Sequence, residues 1–396
     1  MGATIKDIAE LAGVSPATVS RVLSGQSDFY SEKTARRVHR AAKKLGYQKN
    51  TSAVELVTRT SKTIAVIVSS TQTNFADQII DGIQEQAMQK DLNVIILYAG
   101  EKNAKLQKRA LETVIERSVL GILLVAIDLD PSNDNLLRSA NIPFLFLSIC
   151  FRNHRFPFIS SDDFKIGYQA TTYLIEKGHV KIGFAAADLE SFTGQLRLAG
   201  YRRAMDEYRL PTSPDWVCDG DFAYEDGVLA MKQYGEETQL TAVIASSDLA
   251  AIGILNQAQA FNVKVPNDLS VVSIDGTYLC NIVRPRITSV TQSFREMGVK
   301  GIQTLLGGKL DQFDLLYTGI GITERESVKT RSFHTFQLGG LNQPQYSRFW
   351  KISLSGLYGR KLWHFCTFQL GGPNQPQYSR FWNIGLSGLY GRKLWQ

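Results

Sequence analysis

The run Gly13-Val14-Ser15-Pro16 constrains the fold of this 396-residue chain more than any other feature. Glycine reaches the left-handed backbone that a sharp corner needs, Ser15 can cap a helix, and Pro16 suits its first position. Upstream, Thr4 can cap a preceding helix with Asp7 completing a capping box. Ile8, Leu11 and Ala12 then fall on one face of it. Downstream, the spacing turns Val19, Val22 and Leu23 inward and leaves Ala17, Thr18, Ser20 and Arg21 outward. Two short helices around such a corner predict a helix-turn-helix, whose second helix enters the DNA major groove. An ordinary helical hairpin is the alternative at this point. A third helix is predicted from Ser31 to about Leu45, with Val38, Ala41, Ala42 and Leu45 on its core face and Arg36, Arg37, Arg40, Lys43 and Lys44 on the others.

Charge supports the DNA reading once it is divided. Residues 1–63 hold 11 Lys and Arg against 5 Asp and Glu, whereas residues 64–332 hold 26 against 32. A local positive excess is what phosphate neutralisation requires. The four cysteines, at positions 150, 218, 280 and 366, lack metal-ligand or redox spacing, and the histidines are scattered. These features predict reduced thiols and no metal. No apolar run reaches bilayer length and no secretory signal opens the chain, so a cytoplasmic protein with no membrane partner is expected.

After residue 62 short apolar runs alternate with amphipathic segments. TIAVIV (63–68), NVIILY (93–98), GILLVA (121–126) and PFLFL (143–147) read as buried parallel strands, and residues 75–88 have helical spacing. The pattern restarts with KIGFAAA (181–187), AVIA (242–245) and LSVVSI (269–274). Two lobes of parallel sheet wrapped by helices follow, with a ligand expected in the cleft at the carboxyl ends of the strands.

TIKDIAELAGVSPATVSRVLSG, followed by SEKTARRVHRAAKKLGY, resembles the headpiece of the lactose/galactose repressor family of bacterial transcription regulators. The resemblance runs to about residue 330, through SSTQTNFADQIIDGIQ, SSDDFKIGYQATTYLIEKGH, SFTGQLRLAGY, SSDLAAIG and VPNDLSVVSIDG. It implies an α plus α/β chain divided into a helix-turn-helix headpiece (1–47), a hinge (48–62), a two-lobed body like a periplasmic sugar-binding protein (63–330) and an atypical tail (331–396). It places Pro16, Ala17 and Arg21 on base edges, with Arg21 able to pair with guanine. Ser15, Thr18, Ser20, Ser24 and Asn50 hold the backbone or the half-site register, and Thr4 joins this set. In the hinge, Asn50, Ala53 and Leu56 match a segment whose leucine wedges into the minor groove. Lys49 and Val54 depart from the family's usual proline and arginine.

For the cleft, the resemblance implies that Asn74, Phe75, Ser148, Arg197, Phe222, Asp248 and Asp275 contact an effector. Arg197 and Asp275 suit paired hydroxyls, and Phe222 suits the apolar face of a sugar. Each has a plain structural alternative: an inter-lobe salt bridge for Arg197, a strand-end cap for Asp275, core packing for Phe222. Asp162 and Asp163 read as loop or hinge residues, and Ser247 replaces the family's usual asparagine.

The expectation is a homodimeric repressor of a carbohydrate-catabolism operon on a pseudopalindromic operator, modulated by a small sugar or sugar-phosphate between the lobes. No other cofactor is expected. The run VRPRITSVTQSFREMG also resembles catabolite control proteins, whose co-effector is a phosphorylated carrier protein, which leaves a phosphocarrier partner open. A transport component lacks a reason for the headpiece, and no GxGxxG, GxSxG, P-loop or HExxH signature supports an enzyme.

Beyond the family pattern, residues 333–363 recur as 365–395 with 27 of 31 positions identical, 7 basic residues and no acid over 333–396. Two near-identical copies are too few for a solenoid. Translated repetitive DNA is one reading, and an accessory nucleic-acid arm through Tyr346, Arg348, Phe349 and Trp350 is the other.

Overall fold

The computed structural model describes residues 3–25, 27–47, 61–69, 74–100, 102–117, 119–152, 155–308 and 315–331. The hinge positions Asn50, Ala53 and Leu56, and the repeated tail, lie outside the described residues.

Three helices form the headpiece: α1 (Ile5–Ala12), α2 (Pro16–Leu23) and α3 (Glu32–Lys44). Thr4 and Asp7 make the capping box at α1, and Gly13 ends the helix at φ 61°, the left-handed conformation the corner demands. Ser15 and Ser31 cap α2 and α3 through the backbone N–H groups of Thr18 and Thr34. Ile8, Val19 and Val38 are fully or almost fully buried where the helices meet, with Ala9, Ala12, Val22, Ala41 and Ala42 around them. Two expected core residues are not in it. Leu11 is 46 % exposed and Leu45 36 % exposed. Helices this short present only a narrow inner stripe, which Ile8, Ala9 and Ala12 already fill on α1, while Leu45 caps the end of α3.

The body carries two six-stranded sheets. The first contains β1 (Thr63–Val68), β2 (Asn93–Tyr98), β3 (Gly121–Val125), β4 (Phe144–Leu147) and β5 (Phe158–Ser160). Its helices are α4 (Ala76–Gln89), α5 (Ala104–Glu116) and α6 (Asp134–Ser139). The second contains β6 (Ile182–Ala187), β7 (Val217–Asp219), β8 (Ala242–Ala245), β9 (Ser270–Asp275) and β10 (Thr288–Gln292). Its helices are α7 (Asp163–Glu176), α8 (Phe192–Glu207), α9 (Tyr224–Tyr234), α10 (Asp248–Ala260) and α11 (Leu279–Ile282). The chain then returns through α12 (Phe294–Leu306), gives β11 (Leu315–Tyr317) to the first sheet and closes with β12 (Ile320–Thr323) on the second. The orders are β11-β5-β4-β3-β1-β2 and β12-β10-β9-β8-β6-β7, with every pairing parallel except β10 with β12.

The central strands are apolar throughout because both faces are covered. Ile64, Val66 and Val68 of β1 belong to one core while Ala65 and Ile67 belong to the other, the period-2 alternation of a strand between two helix layers. The expectation that 93–98 is buried needs correction. β2 is the sheet's edge, its Ile96 and Tyr98 being 49 % and 50 % exposed. Glycines set the closest helix contacts. A Cβ on Gly82 of α4 would lie 2.2 Å from Arg295 O of α12, and one on Gly298 only 2.0 Å from Ile79 O. The pair α7–α8 repeats this, with Gly167 facing Arg197 O at 1.9 Å and Gly200 facing Phe164 O at 2.1 Å. Among the described residues, no helix is long and apolar enough to cross a membrane.

Candidate functional site

A cavity of about 730 Å³ lies between the two sheets of the body. Strand ends supply its walls. Ser69 follows β1, Lys102 lies beyond β2, Asp128 beyond β3 and Ser148 directly after β4. From the second sheet come Asp188 after β6, Phe222 beyond β7, Ser246 and Ser247 after β8, Asp275 ending β9 and Gln292 ending β10. Parallel strands all point their carboxyl ends the same way, so their following loops converge there.

Backbone strain is concentrated at this place. Lys102, Ala126, Ser148, Phe222 and Asp275 have φ between 45° and 109° and all line the cavity. Side chains other than glycine rarely adopt that region, and such strain gathers at ligand sites where surrounding structure enforces it. For Ser148 the enforcing contact is its N–H to Ile159 O at 2.9 Å, and for Phe222 it is N–H to Ala186 O at 3.1 Å.

Arg197 is buried on α8 and lines the cavity. Its Nε donates to Asp163 Oδ1 at 2.8 Å and its Nη1 to Ser246 O at 2.9 Å. Its guanidinium carbon lies 5.6 Å from the centre of the Phe222 ring, a cation–π arrangement. Asp163, read from sequence as a loop or hinge residue, is the first residue of α7 and the anchor of this arginine. Asp162 beside it caps α7, accepting from Lys165 N at 3.0 Å. No spacing rule could have linked 163 to 197; only the α7–α8 packing does.

Asp275 is buried, and its Oδ1 accepts from Gln292 Nε2 at 2.8 Å. Burial holds its carboxyl well above the usual carboxylate range, outweighing the nearby Arg197 charge. Asn74 and Phe75 line the opposite lobe, where Phe75 stacks on Phe294 with ring centres 4.7 Å apart. Thus Asn74, Phe75, Ser148, Arg197, Phe222 and Asp275 come together as expected.

Asp248 does not join them. It is 1 % exposed, absent from the cavity wall, and its carboxylate accepts from Thr277 N at 2.6 Å, Gly276 N at 3.3 Å and Ser273 Oγ at 2.5 Å. At the start of α10 its side chain turns toward the loop after β9 and holds Gly276 and Thr277 there. Ser246, Ser247 and Leu249 form the wall at that turn. Ser247 Oγ is itself used, donating to Phe222 O at 2.6 Å.

Contacts across the cleft mouth were not legible in sequence. Lys102 Nζ, from the first lobe, lies 2.7 Å from Asp188 Oδ2 and 3.4 Å from Asp221 Oδ1 of the second. Arg152 reaches Gln195 Oε1 and lies 5.2 Å from the Phe192 ring centre.

In the headpiece, Thr4, Ser15, Pro16, Ala17, Ser20, Arg21 and Ser24 are exposed, and Thr18 is half-buried. The Arg21 guanidinium carbon lies 5.0 Å from the Phe29 ring centre, which steadies a long side chain at the surface. Arg37 is not free for phosphate: its Nη2 donates to the carbonyls of Ala12 and Gly13, closing the end of α1.

Residues 4–50 match the family described as bacterial regulatory proteins, lacI family, and residues 171–327 match the periplasmic binding protein-like domain. The HTH-type transcriptional repressor PurR of Vibrio parahaemolyticus is 33% identical over 306 residues, covering 77% of this chain and 91% of that protein. The chain belongs to the lacI family of bacterial regulatory proteins. The ribose operon repressor of Haemophilus influenzae is another similar member, 32% identical over 77% of this chain and 91% of its own length. Among solved structures, the lac repressor dimer bound to operator and an anti-inducer is 26% identical with a TM-score of 0.74, covering 83% of this chain and 100% of that one. This lacI-family chain therefore joins a helix-turn-helix to a two-sheet ligand-binding body.

Proposed function

We propose that this protein is a homodimeric repressor of a carbohydrate-catabolism operon, modulated by a small sugar bound between the lobes. The observation that carries the reading is one cavity bracketed by the Arg197 guanidinium and the Asp275 carboxylate and walled by Phe75 and Phe222. The Arg197 guanidinium and the Asp275 carboxyl can each hydrogen-bond neighbouring hydroxyls, and a ligand lacking one leaves a buried polar group unmatched. The ribose operon repressor among its relatives and the cellobiose complex of the regulator CelR among similar structures are in keeping with a carbohydrate.

Residues 1–47 read a half-site, 48–62 couple headpiece to body, and 63–330 bind effector and dimer mate. Twofold symmetry then matches a pseudopalindromic operator in the bacterial cytoplasm. The effector works through its different affinity for the operator-bound and free forms. Residues 331–396 add nothing to this cycle.

Titration calorimetry with common aldoses and disaccharides tests the reading, with Arg197→Lys as control. Saturable binding lost in the variant supports it. Binding that survives the variant unchanged contradicts the site.

A further inference from the structure

Phe29 is 62 % exposed at the end of a short 3-10 turn (Ser27–Phe29) between α2 and α3. Packing does not account for it. Its neighbour Tyr30 lies against the headpiece core, whereas Phe29 turns outward and gives up the burial its ring could supply. The stretch from Ser24 to Ser31 contains Asp28 and neither Lys nor Arg, so it has no charge with which to neutralise phosphate. What it presents beside α2 is a ring.

That ring has a specific neighbour. Arg21, exposed in the last turn of α2, places its guanidinium carbon 5.0 Å from the Phe29 ring centre. Among the described residues no carboxylate or carbonyl engages this guanidinium, which leaves its N–H groups for DNA. Two other headpiece arginines are already committed: Arg36 pairs with Glu32, and Arg37 closes the end of α1. A cation–π contact uses the face of a guanidinium, while its hydrogen bonds leave from the edge. The ring can therefore stay in place while two N–H groups pair with O6 and N7 of a guanine. An arginine held in this way also loses less rotamer freedom when it binds.

We propose that Phe29 is a positioning residue for base reading: it aims Arg21 at one base pair of each half-site and so sets the selectivity there. The inference rests on reading Arg21 as a base contact of the helix that enters the major groove.

Mobility shifts with the full chain test it, on an operator selected from random duplex DNA and on variants of that operator changed one pair at a time. Arg21→Ala identifies the pair that Arg21 reads. Phe29→Leu keeps an apolar side chain but removes the ring. It should lose about twofold to fivefold of the discrimination at that pair, the worth of a surface cation–π contact. Discrimination at other pairs and the slope of affinity against salt should stay as in the wild type, and Phe29→Tyr should restore selectivity. In an Arg21→Ala background, Phe29→Leu should change nothing further at that pair. Full discrimination in Phe29→Leu, an equal loss at every pair, or the same loss without Arg21 overturns the inference while leaving Arg21 as a base reader. Uniform weakening in Arg21→Ala removes the base contact itself, and the inference with it.

Discussion

Arg197 Nε sits 2.8 Å from Asp163 Oδ1, and both side chains are almost wholly buried. The pair joins the first residue of α7, where the chain enters the second lobe, to the side chain that lines the cavity between the sheets. An isolated guanidinium there would carry a large desolvation penalty, so Asp163 both neutralises and aims it. Asp163→Ala should cost about 3–5 kcal/mol of stability, the usual result of stranding a buried charge. Chemical denaturation measures it. Asp163→Asn should keep the fold better while weakening effector affinity, and equal effects from both variants would remove the electrostatic part of this account.

The same arginine is held from behind by its backbone. Gly167→Ala would put a methyl group 1.9 Å from Arg197 O, forcing α7 and α8 apart. Overpacking of this kind costs about 1–3 kcal/mol. Thermal unfolding should show that loss, and calorimetry should show weaker effector binding because α8 carries Arg197.

Lys102 links the lobes at the cleft mouth through Asp188 and Asp221. Lys102→Met should lower effector affinity and flatten its dependence on salt, since ions screen this exposed contact. Titrations at low and high ionic strength give both readings. A salt dependence as steep as in the wild type would remove Lys102 from closure.

His179 makes stability depend on pH. It is buried, with Nε2 3.0 Å from Lys329 O and Nδ1 3.1 Å from Thr241 Oγ1. A carbonyl can only accept, so Nε2 carries the proton, and Nδ1 lies beside a Thr241 hydroxyl that is also 3.2 Å from Lys181 O. Burial pushes its pKa down to about 4 from 6.5. The unfolded chain therefore binds the extra proton between those values. The stabilisation is complete above pH 6.5 and is lost as pH falls toward 4, by on the order of 3 kcal/mol. Denaturation midpoints at pH 7 and pH 5 should separate, and His179→Gln should narrow the difference.

Local rules made the headpiece and the central strands legible. A capping box, a glycine corner and an Ser-Pro start act within a few residues, and buried parallel strands announce themselves as apolar runs. Leu11, Leu45 and β2 were misplaced because hydrophobicity marks a face without saying whether a neighbour covers it. At the site, Arg197 and Asp275 were reached by resemblance, whereas Asp163 and Lys102 act through partners 34, 86 and 119 positions away. Asp248 lies off the cavity wall for a related reason: its rotamer answers to the loop after β9, which the sequence around it does not mention.

The DNA face makes a sharper prediction. If Arg21 pairs with guanine, Arg21→Ala should lose about 1–3 kcal/mol at one base pair and relax the preference there. Quantitative mobility shifts on operators varied one pair at a time would show this, whereas uniform weakening across all sequences would mark Arg21 as a phosphate contact.

Footprinting the DNA that flanks the protein's own gene, with and without small sugars, tests the central claim most directly. The account predicts protection of two symmetry-related half-sites that one such sugar shifts in concentration dependence, and that Arg197→Lys renders insensitive to it. Protection indifferent to every sugar, or no protection at low salt, would contradict it.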